Sequence, residues 1–337
     1  MKGFRKGNSN DLATLLVELV REQKELMANI KETQQVAQQT HILSINSSIE
    51  AARVGSVGAG FAVIAKHIQE LANESSVANE HSERRMNELV VMINDIAGVR
   101  TADIAYDLID KIDRNLFERN CDVQAWATFD LIVDSLIDPS TQNQNAVNKL
   151  LKNICDLYEV YYDVFLANKD GIMVGAANRS NLLGKNVSEQ EWFSSVVEGK
   201  SNTVSDMHFD KDVYDYTVAY SAPVVDKKGE LLGVISTRFN WNFIYDIIEK
   251  AKVSDKGNVY LVNVHGQVIA SLRREEVFKT DMSDVPVLND AIKGNPYGYM
   301  ISENSSGQLE IIYGYAHTQG YNAYKGKDWS VIVKEQF

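Results

Sequence analysis

Two stretches within the first hundred residues carry apolar or small residues in an unbroken alternation of three- and four-residue steps. They pass through Leu16, Leu19, Gln23, Leu26, Ile30, Thr33, Ala37, Thr40, Ser44, Ser47 and Ala51, and through Phe61, Ala65, Ile68, Ala72, Ser75, Asn79, Ser82, Met86, Leu89, Ile93 and Ile96. This period keeps one side of a helix against a partner helix. Gly55, Gly58 and Gly60 lie between the stretches and predict a tight reversal, because glycine tolerates positive φ. The pattern predicts an antiparallel coiled-coil hairpin, and two copies would form a four-helix bundle in a parallel homodimer.

The helical pattern after the reversal shows no clear stop before the first proline, Pro139. It predicts one very long helix from Gly60 to Asp138, loosened at Gly98. Beyond Pro139, short apolar strands alternate with glycine-containing turns. The predicted strands cover residues 160–167, 172–175, 215–226, 231–239, 257–264, 267–271, 309–316 and 329–334. We therefore expect an α+β multidomain chain in which two α/β modules, each a twisted antiparallel sheet behind a long helix, follow the hairpin.

The predicted organisation has four parts. Residues 1–98 form the helical hairpin, with its tip near 54–60. Residues 99–147 form a long helix and a linker, residues 148–252 the first α/β module, and residues 253–337 the second.

The composition of the chain argues against several classes of function. The chain of 337 residues has a net charge of −12, which argues against nucleic acid as the main partner. Its two cysteines, Cys121 and Cys155, suit a reducing compartment. The sequence contains no apolar run of the roughly 18 residues that a membrane span requires. It also lacks a phosphate-binding glycine loop and the common catalytic motifs, so we expect a cytoplasmic protein that is not an enzyme and needs no cofactor.

The segment 39–65 reads QTHILSINSSIEAARVGSVGAGFAVIA. It resembles the tip of the signalling domain of bacterial methyl-accepting chemotaxis proteins. The resemblance implies that the tip docks a CheA-type histidine kinase and a CheW-type coupling protein. It also implies that one set of residues holds homodimers together as trimers of dimers: Ile42, Asn46, Glu50 and Arg53. The sequence departs from the family at Gln38, Ser56 and Ala59.

These departures leave a second hypothesis open. The hairpin would then serve only as a structural coiled coil, in a dimeric binding module that acts as a scaffold or decoy within receptor arrays. The glutamine pairs 34–35 and 38–39 look like sites of adaptational methylation, but they lie nearer the turn than the family places such sites. We therefore expect no methylation there.

Residues 99–337 resemble double Cache sensor domains, which consist of two PAS-like modules. The resemblance places the ligand in the first module and assigns to it the positions Gln190, Trp192, Phe193, His208, Asp210 and Arg238. Family members that bind amino acids have Arg at the position of Gln190 and Asp at the position of Arg238. A guanidinium suits a carboxylate or phosphate. We therefore expect a small anion between Trp192, Tyr220 and Arg238, with His208 and Asp210 at the rim.

Three alternatives apply to this site. Trp192 and Phe193 would also suit plain packing against the sheet. Arg238 would also suit a pairing with a surface aspartate, or a position in solvent. His208 would also suit a haem or metal ligand. Whether the ligand activates or inhibits the kinase is left open by the sequence.

Overall fold

The computed structural model describes residues 12–199, 201–303 and 309–336. Its α-helices are α1 Leu12–Arg53, α2 Ala59–Trp126, α3 Asp130–Ile137, α4 Thr141–Tyr158, α5 Glu191–Gly199, α6 Asn242–Ile248 and α7 Pro286–Lys293. Short 3₁₀ segments occur at Gly55–Gly58, Ser180–Leu182 and Arg274–Glu276. None of the described helices is long and apolar enough to cross a membrane.

The described strands form two antiparallel sheets. The strands are β1 Tyr161–Asn168, β2 Met173–Ala176, β3 Thr203–Val204, β4 His208–Asp210, β5 Asp215–Val218, β6 Tyr220–Val225, β7 Leu231–Asn240, β8 Asn258–Val262, β9 Val268–Ser271, β10 Tyr297–Glu303, β11 Leu309–His317 and β12 Ser330–Gln336. In the first sheet β7 pairs with β1 on one side and with β5 and β6 on the other. The second sheet has the order β10-β11-β12-β8-β9.

Helices α1 and α2 run antiparallel along their length. Near the middle, Gln34 Nε2 donates a hydrogen bond of 2.8 Å to Ser76 Oγ. At the turn, Gly55 has φ +69°, a conformation that glycine adopts at little cost. A Cβ on Gly58 would lie 2.1 Å from the carbonyl oxygen of Ala51, so any larger residue would force the two helices apart.

The contact line between α1 and α2 differs from the predicted seam at alternate positions. The residues shielded from solvent are Leu16, Val20, Gln23, Met27, Ile30, Gln34, Ala37, Thr40, His41, Ser44, Ser48 and Ala51 on α1, and Ala62, Ala65, Gln69, Ala72, Ser75, Ser76, Asn79, Met86, Val90, Ile93, Asn94 and Ala97 on α2. Several apolar residues of the predicted seam are instead exposed: Leu19, Leu26, Phe61, Ile68, Leu89 and Ile96. Within one hairpin the seam is therefore buried at alternate positions only, and burial of the exposed positions by a second copy stays a prediction.

Helix α2 ends at Trp126, well before the predicted end at Asp138. The buried Trp126 ring packs edge-on against the buried Tyr161 and against the exposed Tyr158. The backbone then extends at Phe129, and the separate helix α3 begins. This break lets Ile132 of α3 enter the same core, which a straight helix could not reach. The predicted single helix to Asp138 is therefore wrong at its end.

Gly98 is a point of close packing and not of loosening, because α2 is helical throughout this region. A Cβ on Gly98 would lie 2.3 Å from Cδ2 of Tyr299 in β10. The predicted boundary at 98/99 therefore falls inside α2, and the one at 147/148 falls inside α4. Neither marks a break in the structure.

Both sheets pack against the same helix. One apolar core joins α2 to the inner faces of the two sheets, with Leu116, Phe239 and Val331 among its members. Trp241, which follows β7, packs edge-on against Trp329 before β12, with ring centroids 5.6 Å apart. The two modules therefore share a core instead of each having its own long helix.

Candidate functional site

Strand β7 divides the first module into two faces. Because side chains alternate along a strand, Ile235 and Phe239 face α2, while Val234 belongs to the cluster on the opposite side. Arg238 also lies on that opposite side, since its guanidinium contacts the rings of Phe165 and Trp192. The outer face of the first sheet therefore carries the predicted cation.

The Arg238 side chain is buried, with a residue exposure of 1%. Its guanidinium carbon lies 4.8 Å from the ring centroid of Phe165 and 5.1 Å from that of Trp192. Its Nε donates to Asp210 Oδ2 at 2.5 Å, and its Nη1 donates to Ser236 Oγ at 2.8 Å and to the carbonyl oxygen of Thr237 at 2.9 Å. The alternatives that place Arg238 at the surface are therefore wrong.

The pair formed by Arg238 and Asp210 is buried and hydrogen-bonded. Burial by itself raises the pKa of Asp210, but the guanidinium of Arg238 and the backbone donors of Asp212 and Val213 outweigh it, so this pKa lies below its ordinary value. Burial lowers the pKa of Arg238, yet a guanidinium remains protonated in proteins. Both groups are therefore charged at neutral pH.

A second ion pair lies beside the first on the same face. Asp163 of β1 stands opposite Arg238 in the pairing of β1 with β7. It receives Nη1 of Arg179 at 3.2 Å, and the Nη2 of Arg179 donates to the carbonyl oxygen of Val213 at 3.1 Å. Sequence reasoning missed Asp163 and Arg179. The available signal was an aspartate in the apolar strand 160–167, at the same parity as Phe165.

Gln190, Trp192 and Phe193 lie at the start of α5 and cover this face. Trp192 Nε1 donates to Gln190 Oε1 at 2.5 Å, which fixes the indole over Arg238. Phe193 packs edge-on against Trp192 in the apolar cluster that also contains Val234. The Gln at position 190 thus orients an aromatic ring and carries no charge.

Two details of the predicted ligand arrangement, the positions of Tyr220 and Asp210, are wrong, whereas the rim position of His208 stays a prediction. Tyr220 is fully buried on the opposite face of the sheet, in the core beneath α2, and its ring packs near that of Phe239. Side chains alternate between the two faces of a strand, and the position of Tyr220 is one that points toward the helix. Asp210 lies at the centre of the charged group and not at its rim. The half-buried His208 points Nδ1 at the carbonyl oxygen of Asp206, 3.0 Å away, and at Ser205 Oγ, 3.4 Å away.

The predicted tip residues Ile42, Asn46, Glu50 and Arg53 are all exposed on α1. Their spacing places them along one side of the helix. Arg53 and Glu50 form an exposed ion pair at 3.6 Å. An apolar groove of about 310 Å³ adjoins them, lined by Ser47, Glu50, Ala51, Val54, Phe61, Ile64, Ala65 and Ile68.

The architecture of two antiparallel sheets behind one long helix has a counterpart among known families. The family model described as a Cache domain, of the dCache_1 type, matches residues 18–336. The chain belongs to the Cache domain family. In this Cache protein, the ion pair of Arg238 with Asp210 and that of the partly exposed Arg179 with Asp163 lie on the outer face of the first sheet.

Solved structures share the fold at low sequence identity. The sensory domain of the Campylobacter jejuni chemoreceptor Tlp3 superposes with a TM-score of 0.55 at 15% identity, over 70% of the Cache chain and 92% of that domain. The sensor domain of the Vibrio cholerae histidine kinase DctB gives a TM-score of 0.52 at 14% identity, over 70% and 95%.

Curated relatives match over shorter segments. The methyl-accepting chemotaxis protein McpC of Bacillus subtilis is 37% identical over 68 residues, which is 20% of the Cache chain and 10% of McpC. The biofilm dispersion protein BdlA of Pseudomonas aeruginosa is 36% identical over 70 residues, 20% of the chain and 17% of BdlA. The matched segments thus represent only a small part of these relatives.

Proposed function

We propose that this protein is a cytoplasmic chemoreceptor that is not an enzyme. It senses a small molecule through the first Cache module and controls a CheA-type histidine kinase, together with a CheW-type coupling protein, through the hairpin tip. The observation that carries the proposal is the continuity of α2, which runs without a break from the turn at Gly55–Gly58 to the sensor core at Trp126. A change in the sensor thereby reaches the hairpin along a single helix.

The ligand enters at the outer face of the first sheet, where Trp192 and Phe165 flank Arg238. This face holds two arginines and two aspartates, and each arginine is paired with an aspartate. A small anion that binds Arg238 competes with the carboxylate of Asp210 for the guanidinium, and a buried carboxylate that loses its partner is costly. A zwitterion could instead satisfy both members of the pair.

Asp210→Asn distinguishes these ligand types by the sign of its effect. For an anion, the variant removes the competing carboxylate, so the affinity should rise about tenfold, or 1.4 kcal/mol. For a zwitterion, the variant removes the partner of the ammonium group, so the affinity should fall. We propose the anion, and Arg238→Ala should then abolish binding.

The measurement is a thermal-shift screen with carboxylates, phosphates, purines and L-valine. L-Valine is included because it is bound in a structure of the Tlp3 ligand-binding domain that superposes on this chain with a TM-score of 0.54. A ligand that binds only the folded state raises the melting temperature with its concentration. Lys185→Ala is the control, because it removes a different ion pair, the one with Asp212, whose lysine is partly exposed. A response to L-valine that Asp210→Asn removes would contradict the anionic assignment.

The tip is tested by co-sedimentation with the kinase and the coupling protein. Glu50→Ala and Arg53→Ala should abolish association, because both side chains lie on the exposed side of α1 beside the groove. Glu22→Ala is a control on the same helix far from the tip, with an equally exposed side chain. Equal association of all the variants would contradict the proposed docking site.

A second function has one observation in its favour. The tip segment departs from the chemoreceptor pattern at Ser56 and Ala59, which lie in and directly after the 3₁₀ turn. A dimeric scaffold or decoy within receptor arrays would keep the hairpin but not bind the kinase. Failure of the wild-type protein to co-sediment would favour this alternative.

A further inference from the structure

The strand that carries Arg238 leads directly into the connection between the two modules. After β7 ends at Asn240, helix α6 covers Asn242–Ile248 and the chain reaches Lys252 before β8 begins at Asn258. Helix α6 is fixed to the shared core by Ile244 and Ile248. The segment around Lys252–Ser254 therefore belongs to the covalent link between β7 and the second module.

This connecting segment is bound to α2 by one arginine. Arg100 of α2 donates through Nη2 to the carbonyl oxygen of Lys252 and through Nη1 to Glu335 Oε1 at 3.2 Å. Glu335 of β12 is fully buried and also accepts from the backbone N–H of Ser254, at 3.0 and 3.1 Å, and from its hydroxyl. Three separate parts of the chain thus meet at Arg100: helix α2, the connection between the modules, and the last described strand.

The same stretch of α2 forms the base of the hairpin. Ala97 packs with Leu16 of α1 and Ile312 of β11 in a small apolar cluster. Arg100 lies one helical turn from Ala97. A displacement at Arg100 therefore acts on the place where both hairpin helices contact the second module.

We propose that Arg100 couples the connection between the modules to α2, so that a change at the Arg238–Asp210 pair alters the packing of the hairpin base. The inference rests on the proposed function only in treating the first module as the input. The competing route is direct packing of α2 on the first sheet, and that route does not need Arg100.

Hydrogen–deuterium exchange on the full chain tests this without a ligand or a kinase. Asp210→Asn serves as the perturbation of the first module. It should change the exchange rates of amides in residues 14–30 and 85–99 by at least about threefold, because local opening reports local packing. The change should disappear when Arg100→Gln is added, while Lys111→Gln, which removes an exposed pair with Asp107 on the same helix, should leave it intact.

Arg100→Lys and Glu335→Gln are added to distinguish a loss of coupling from a loss of folding. Circular dichroism checks that each variant is folded. Arg100→Lys keeps the charge but not the two-pronged donor, so it should restore only part of the response. Persistence of the full response in Arg100→Gln would overturn the proposal, as would an unchanged hairpin in Asp210→Asn. A failed ligand screen or absent kinase binding would contradict the proposed function but not this coupling.

Discussion

Gly314 of β11 lies directly against the backbone of Thr101 in α2. A Cβ at position 314 would lie 2.2 Å from the carbonyl carbon of Thr101, which is backbone and cannot turn aside. Thr101 is itself fully buried and donates its hydroxyl to the carbonyl oxygen of Ala97 at 2.7 Å. The second sheet and the long helix therefore meet at a distance that leaves no room for a Cβ at position 314.

Gly314→Ala should lower the free energy of unfolding by about 1–3 kcal/mol, the usual cost of overpacking. Urea unfolding measures the loss. Gly60→Ala is the matched control, since its position is helical and has open space around it. That variant should gain up to about 1 kcal/mol. Equal effects of the two substitutions would contradict the close contact at Thr101.

Asp210→Asn should destabilise the protein at pH 7 by about 3 kcal/mol, because it leaves the charge of Arg238 buried without its carboxylate. The folded pKa of Asp210 lies below the ordinary 3.8, so the stabilisation by the pair is present above that pH and is lost as the pH falls through the folded pKa. The difference between wild type and variant should therefore shrink on acidification. Urea unfolding at pH 7 and near pH 3 checks it, and a constant difference would refute it.

Tyr220→Phe should raise stability by about 1 kcal/mol, because the buried Tyr220 hydroxyl has no hydrogen-bond partner among the residues that the structure describes. Tyr161→Phe is the matched comparison. The Tyr161 hydroxyl donates to Asp122 Oδ2 at 3.0 Å, so its removal should cost about 1 kcal/mol. Thermal unfolding of both variants tests the sign, and a loss in Tyr220→Phe would reveal a partner for that hydroxyl.

We expect the protein to be a homodimer that Leu26→Asp combined with Leu89→Asp converts into a monomer. Both leucines are about half exposed, at 49%, and lie on the flank that the hairpin does not use internally. A charge buried there at an interface would lack a partner. Light scattering at micromolar concentration measures the mass. Val91→Asp, at a position that is 60% exposed but turned to another side of α2, should remain dimeric. A monomeric wild type would refute the dimer.

The sequence determined the turn, the long helix after it and most of the strands, but not β3, β4 and β10. Alternation of apolar residues placed β1, β7 and β11 within one or two residues of their observed bounds, since a half-buried strand repeats every second residue. Glycine chemistry located the turn at Gly55–Gly58, because few other residues could adopt it. The long helix after the turn followed from the absence of proline, although its end at Trp126 depended on packing that no local signal reports.

Only the tertiary structure decided which faces meet. The three-four period on α1 fits two flanks of the helix equally well. Only the position of α2 decides that Met27 is shielded within the hairpin and Leu26 is exposed. Tyr220 and Arg238 belong to neighbouring strands of one sheet, and the pairing of Ser221 with Ser236 fixes their parity and sends them to opposite faces. The pair between Arg238 and Asp210, and the meeting of Arg100 with Glu335, join residues far apart in the chain. Such contacts depend on strand register and helix position, which arise only when the core is closed.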